Sequence, residues 1–351
     1  MKKLLIIIDG MDDEPSAVLG GRTPRESAFM PGLDIMRNKG RTRMMTTVPY
    51  GNTPSSETAI LNILGNDVEP AFSGRSWLEA IGSGVEVSPG DLCLRCNLIR
   101  TEDNVIVSHC CENLLDEEAK EIIERLNGFL DSERISFHFG KGYRNMLVIK
   151  DCRADVIADP VHELIGCDVS ALDMKSKDPD LKDLLNSIMH RSREILYKSG
   201  KRVNGIALWA PGRKPSMKFN QLRGAVVAGT NLVKGIGKVC GMRIIDVIGA
   251  TGDRNTDYSG KCEAALAALE DNDFVLLHIE AADEASHRRD PWLKVEILEE
   301  IDRQIISPIL KCGRELEIVV QSDHATSSVT GRHLDQPVEV ITYVLTIANE
   351  S

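Results

Sequence analysis

The sequence predicts an α/β protein, a mixed and mostly parallel sheet flanked by helices, with a smaller α+β cap domain inserted into it. Short, continuously apolar runs bounded by turn residues alternate with longer helical periodicities, as expected for strands buried on both faces. In the middle of the chain the texture changes to alternating polar and apolar residues, the pattern of half-solvated antiparallel strands.

The first run, Leu-Leu-Ile-Ile-Ile, stops at Asp9-Gly10 and reads as a buried strand over 4–9. Two lysines precede it, but the run is too short for a secretory leader and has no small-residue cleavage site. Helical patterns follow at 31–39 and 56–64. The alternating region, 85–149, holds strand-like segments at 104–109 and 144–149 with a helical pattern at 115–130 between them. An amphipathic helix is expected over 178–200. Buried strands, read as parallel, resume at 205–210, 274–279 and 318–321, separated by helices at 260–272 and 294–311, and 340–347 is again strand-like. The expected organisation is a core of 1–84 and 199–351 with a cap of 85–198 inserted.

With 351 residues, 42% of them apolar, the chain can bury one large or two medium cores. Its formal net charge of −11 argues against a nucleic-acid partner. No run approaches the ~20 apolar residues of a membrane span, so no membrane association is expected. Nine cysteines without an export signal suggest a reducing cytoplasm. Cys93-Leu-Arg-Cys96 followed by Cys110-Cys111 is half of a zinc pattern, because an adjacent pair cannot easily give two thiolates to one tetrahedral ion; free thiols are expected. Gly235-Ile-Gly-Lys-Val-Cys-Gly241 nearly spells a dinucleotide loop, but it lies within a helical pattern and its third glycine comes one residue late.

Ligand sites in open α/β sheets form at the carboxyl ends of strands. Asp9 ends the first strand, Asp283 and His287 follow the strand at 274–279, and Asp323-His324 follow the strand at 318–321, with His333 nine residues further on. Each alone is a turn former or a surface histidine. Together, three aspartates and three histidines at strand ends make a mixed oxygen and nitrogen set suited to Mn²⁺ or Zn²⁺ rather than calcium. Pro54-Ser-Ser-Glu57 leads into a helical pattern, so Ser55 or Ser56 is an N-cap, a nucleophile beside a helix N-terminus, or both.

These segments, with Gly74-Arg-Ser-Trp-Leu-Glu-Ala80, Arg95-Cys-Asn-Leu98, Tyr143-Arg144, Lys234-Gly-Ile-Gly237, Gly249-Ala-Thr-Gly252 and the whole of His278–His287, occur in one order that spans nearly all of the chain. That order resembles the archaeal-type cofactor-independent (2,3-bisphosphoglycerate-independent) phosphoglycerate mutases of the alkaline phosphatase superfamily, and most of all a bacterial branch that includes proposed homoserine kinases. The resemblance implies an alkaline-phosphatase-like metalloenzyme core, a substrate-binding cap, and a cytoplasmic, glycolytic enzyme acting on a small phosphorylated metabolite. It implies two divalent ions, Mn²⁺ first with Mg²⁺ or Zn²⁺ as alternatives, and no need for 2,3-bisphosphoglycerate. Asp283, His287 and His333 would hold one ion, and Asp9, Ser56, Asp323 and His324 the other. Ser56 would take the phosphoryl group from 3-phosphoglycerate as a phosphoserine and return it to the 2-hydroxyl. Arg95 and Arg144, with His162, would meet the substrate's anionic groups. The oligomeric state is not indicated.

Several positions depart from the family's pattern. Pro54-Ser55-Ser56-Glu57 stands where Pro-Gly-Ser-Asp is common, Ser327 where a proline is expected, Gln336 within an altered His-x-x-Asp-Pro signature, and Asn255-Thr-Asp257 for Asp-Thr-Asn. These leave two other readings open. One is a homoserine kinase or another small-metabolite phosphotransferase or phosphatase using the same site, and the other is an inactive metal-binding homologue with a regulatory role.

Overall fold

The computed structural model describes residues 1–111, 114–130, 132–197 and 202–347. It divides into two compact units, Met1–Phe72 together with the chain from Met217 onward, and Ser73–Ser216.

The first unit is built on a seven-stranded sheet in the order Arg243–Ile245, Ala225–Val227, Phe274–Ile279, Lys2–Ile8, Leu316–Gln321, Val338–Leu345, Arg41–Met45. The first five are parallel, and Val338–Leu345 runs antiparallel to both of its neighbours. Lys2–Ile8 lies at the centre, with Ile7 opposite His278 on one side and Gln321 on the other. Leu4, Ile6 and Ile8 enter a core shared with the helices Tyr258–Asp271 and Pro291–Ile301, while Leu5 and Ile7 are buried without joining that core. Burial of alternate residues on both sides explains why the strand reads as an unbroken apolar run.

Helix starts are set locally. Thr23 and Glu26 form a capping box ahead of Pro24, and Asp257 and Asp290 accept from the backbone N–H groups of Gly260 and Leu293. The expected helix at 294–311 is instead Pro291–Ile301, a π-helical turn Asp302–Ile306, and a short helix Ser307–Leu310. Pro308 accounts for the break, because it has no N–H for the carbonyl one turn back; Asp302 opens the π-helical turn, and its carboxylate accepts from the Gly32 and Leu33 N–H groups at 3.0 and 2.8 Å. It thereby caps the helix Pro31–Lys39, whose own N-cap Met30 has no side-chain acceptor.

The second unit has an antiparallel sheet in the order Val105–Ser108, Leu92–Glu102, Arg144–Ile149, Ile135–Lys141, with Gly205–Gly212 also paired to Leu92–Glu102. Helices Asp116–Asn127 and Pro179–Tyr197 bury Ile122, Leu126, Leu185 and Ile188 with it. Residues 198–200 of the expected helix at 178–200 lie outside the described residues. The segment at 205–210, read as a buried parallel strand, is antiparallel. Its apolar run reports burial, which the helix Pro179–Tyr197 packed on it supplies, and burial does not encode pairing direction.

All nine cysteines are free. Burial pushes the Cys93 and Cys111 thiols up to about 12 and raises Cys96 as well, which keeps them protonated and poor zinc ligands. Residues 235–237 lie inside the helix Asn231–Val239, away from any strand-to-helix turn. Among the described residues, no helix is long and apolar enough to cross a membrane.

Candidate metal centre

Three neighbouring parallel strands end together, and the loops that follow them bring Asp9, Asp283, Asp323 and His324 into one buried cluster. The chain can turn after Asp9 because Gly10 adopts φ +63, a region that glycine tolerates best. A Cβ on Gly10 would stand 2.9 Å from Asp283 Cα, so these two backbones approach as closely as they do only because the side chain is missing. Asp283 and His287 lie one turn apart on the helix Ala281–His287, with His287 Nε2 3.0 Å from Asp283 Oδ2. His333, on the strand His333–Leu334 that pairs with Ala325–Thr326, brings its Nε2 to 3.6 Å from Asp283 Oδ1 and 3.2 Å from His287 Nε2.

Ser56 is the first residue of the helix Ser56–Ile63. Its Oγ lies 3.4 Å from Asp9 Oδ2 and 3.2 Å from His324 Nε2, and the side chain is buried. Ser55, the N-cap, makes no capping bond; its hydroxyl instead meets Thr58 Oγ1 at 3.0 Å.

Three imidazoles are held in the same tautomer. His287 Nδ1–H donates to the Gly331 carbonyl at 2.8 Å, and His333 Nδ1–H to the Pro54 carbonyl at 2.9 Å. Thr326 donates its hydroxyl to Asp283 Oδ1 at 2.7 Å and can therefore accept from His324 Nδ1–H at 3.1 Å. In each ring Nε2 is the nitrogen left facing the carboxylates, as an outer hydrogen bond arranges a metal-binding histidine.

The charge balance also suits cations. Asp9 is raised well above the usual carboxylate range by burial, then by the negative charges of Asp323, Asp283 and Glu280. Burial would raise Asp283 too, but the His287 hydrogen bond and the charges of His287 and His333 hold it below that range. His287 is the counterpart. Burial opposes its charge, yet Asp283 and the Gly331 carbonyl lift it to about 9. Asp9 Oδ1 and Asp323 Oδ2 are buried with no hydrogen-bond partner, an arrangement that folded proteins avoid unless an ion or water serves the atom. Asp283, His287 and His333 could hold one ion, and Asp9 and Asp323 belong with His278 to another set whose ligand atoms lie within 4.8 Å of one another. Orphaned oxygens and inward-facing Nε2 atoms together fit divalent cations.

Arg95, Arg144 and His162 lie in the second unit. The Arg95 guanidinium stacks 4.6 Å over Trp209 and pairs with Glu79 at 3.0 Å; burial draws it below its ordinary value while Glu79 opposes that. Trp209 meets His162 edge-on at 5.7 Å, His162 meets His109 at 6.2 Å, and His109 meets Tyr143 at 6.3 Å, over which Arg144 stacks at 5.1 Å. The two arginines thus stand at opposite ends of one aromatic run.

Residues 38–201 match the family described as 2,3-bisphosphoglycerate-independent phosphoglycerate mutase. The 2,3-bisphosphoglycerate-independent phosphoglycerate mutase of Methanothrix thermoacetophila is 36% identical, over 96% of this chain and 89% of that one. The chain belongs to this family. A probable member from Geobacter sulfurreducens is 34% identical over 98% of this chain and 90% of its own. Among solved structures, a Pyrococcus horikoshii protein has TM-score 0.79 at 26% identity, over 98% of this chain and 87% of that one. The cofactor-independent phosphoglycerate mutase of Thermoplasma acidophilum has TM-score 0.59 at 26% identity, over 100% and 92%. The mixed, mostly parallel sheet with flanking helices is thus shared with this enzyme family.

Within this cluster, sequence reasoning passed over His278 and Thr326. His278 was detectable as the one polar residue in the strand Phe274–Ile279. Thr326 carried no comparable signal, since a threonine after Asp-His is unremarked in most loops.

Proposed function

We propose that the protein is a two-metal phosphotransferase that interconverts 3-phosphoglycerate and 2-phosphoglycerate through a phosphoserine at Ser56. The observation that carries this reading is the position of the Ser56 hydroxyl, buried at a helix N-terminus between Asp9 and His324. Asp283, His287 and His333 would hold one cation, and Asp9, Ser56, Asp323 and His324 the other. Mn²⁺ is the first choice, with Mg²⁺ or Zn²⁺ as alternatives, and the pair would neutralise the oxygens of the transferring phosphoryl group.

Ser56 Oγ attacks phosphorus and gives up its proton to the neighbouring acceptors; the bond from phosphorus to the 3-oxygen breaks, that oxygen takes up a proton, and glycerate stays bound. The 2-hydroxyl then attacks the phosphoserine, the bond from Ser56 Oγ to phosphorus breaks, and the proton lost by the 2-hydroxyl passes through the same acceptors to Ser56 Oγ. Free N–H groups at the start of the helix Ser56–Ile63 favour the negative charge that gathers there. Arg95 and Arg144 bind the substrate's phosphate and carboxylate through their planar forks, with His162 assisting, so the second unit, Ser73–Ser216, which is wider than the cap of 85–198 expected from the sequence, is the substrate-binding domain inserted between the two segments of the metalloenzyme core. No 2,3-bisphosphoglycerate is needed, and nine free thiols suit the cytoplasm.

A coupled assay for 2-phosphoglycerate tests this. Activity should require no 2,3-bisphosphoglycerate, disappear in EDTA and return with Mn²⁺. ATP-dependent phosphorylation of homoserine with no mutase activity would overturn the substrate assignment.

A further inference from the structure

Building on the two-cation reading, we infer that His278 is a fourth imidazole donor of the centre, joining Asp9 and Asp323 around the cation on the Ser56 side. His278 occupies the penultimate place of the strand Phe274–Ile279 and is 1% exposed. Its register neighbour Ile7 directly precedes the end of the strand that delivers Asp9. Its Nε2 lies 3.5 Å from Asp9 Oδ2, and neither ring nitrogen makes a hydrogen bond among the described residues. A buried imidazole without a partner is destabilising, and folded proteins avoid it unless an ion or water serves the ring.

Asp323 Oδ2 and Asp9 Oδ1 share that condition, and the three residues have ligand atoms within 4.8 Å of one another. One cation serves all of them at once. An imidazole in this place favours a borderline ion such as Mn²⁺, Co²⁺ or Zn²⁺ over Mg²⁺, which prefers oxygen alone.

The test uses the full chain labelled with ¹⁵N-histidine and loaded with ¹¹³Cd²⁺. Two cadmium resonances should appear, with four imidazoles showing direct nitrogen–cadmium coupling: His287, His333, His324 and His278. In His278→Gln, or His278→Asn if the longer side chain disturbs folding, one of the two sites should weaken by at least about 10-fold while the other keeps its affinity. Two resonances with only three coupled imidazoles would overturn this inference and leave the two-cation reading standing. Failure to bind two equivalents of cadmium would overturn both. The coupling count in the wild-type chain needs no substitution, so it decides the matter even if neither variant folds.

Discussion

At Gly10 the chain leaves its first strand at φ +63 with Asp283 Cα 2.9 Å from where a Cβ would stand. Gly10→Ala should therefore combine left-handed backbone strain with a backbone collision, lowering stability by roughly 1–3 kcal/mol in denaturant titrations and loosening the Asp9–Asp283 approach. An unchanged midpoint would show that the turn relaxes freely. Asp9-Gly10 could be singled out from the sequence because an acid and a turn residue end an apolar run. The meaning of Ser55 could not. Its substitution for glycine suggests lost backbone freedom, yet Ser55 sits at φ −161, extended backbone open to any residue. Ser327 is similarly absorbed. Its N–H donates to the Arg332 carbonyl at 2.9 Å, a bond that proline cannot make, and its hydroxyl accepts from the Thr330 N–H at 2.9 Å. Gln336 is exposed, and nothing in the structure explains its presence.

Between strand and helix, the loop that carries Asp323 to His333 is supported from below by a pair the sequence did not announce. Lys294, on the helix Pro291–Ile301, is fully buried and donates to Asp13 at 2.8 Å and to the Thr326 carbonyl at 2.9 Å. Asp13 in turn accepts from the Ser328 N–H. Removing one member of such a pair leaves a buried charge uncompensated. Lys294→Met should cost about 3–5 kcal/mol by thermal or chemical unfolding, and adding Asp13→Leu should restore part of that loss. A Lys294→Met variant as stable as the wild type would mean that the pair contributes little. A periodic helical pattern shows where a lysine lies along the chain, but its partner 281 positions away is set by tertiary packing.

Seen as a whole, the molecule gathers its candidate centre from four segments far apart in sequence: the turn after the first strand, the helix start at Ser56, the helix Ala281–His287 and the loop from Asp323 to His333. The buried strands feeding three of them were legible because burial on both faces writes itself as continuous apolar runs. Their adjacency was not legible from spacing; family resemblance supplied the order, and the registers Ile7–His278 and Ile7–Gln321 show the proximity. Composition alone was weakest for the second unit. There the expected strand-like segments at 104–109 and 144–149 are the strands Val105–Ser108 and Arg144–Ile149, but Ile135–Lys141 went unread, and the strand Gly205–Gly212 hides its antiparallel pairing behind an apolar run. Whether these parts form one phosphoryl-transfer enzyme is decided at Ser56. Protein mixed with Mn²⁺ and 3-phosphoglycerate, acid-quenched during turnover and digested, should yield a phosphorylated peptide carrying the group on Ser56, and Ser56→Ala should yield neither that peptide nor any turnover while still binding metal. Turnover in Ser56→Ala, or phosphate found on another residue, would contradict the phosphoserine route.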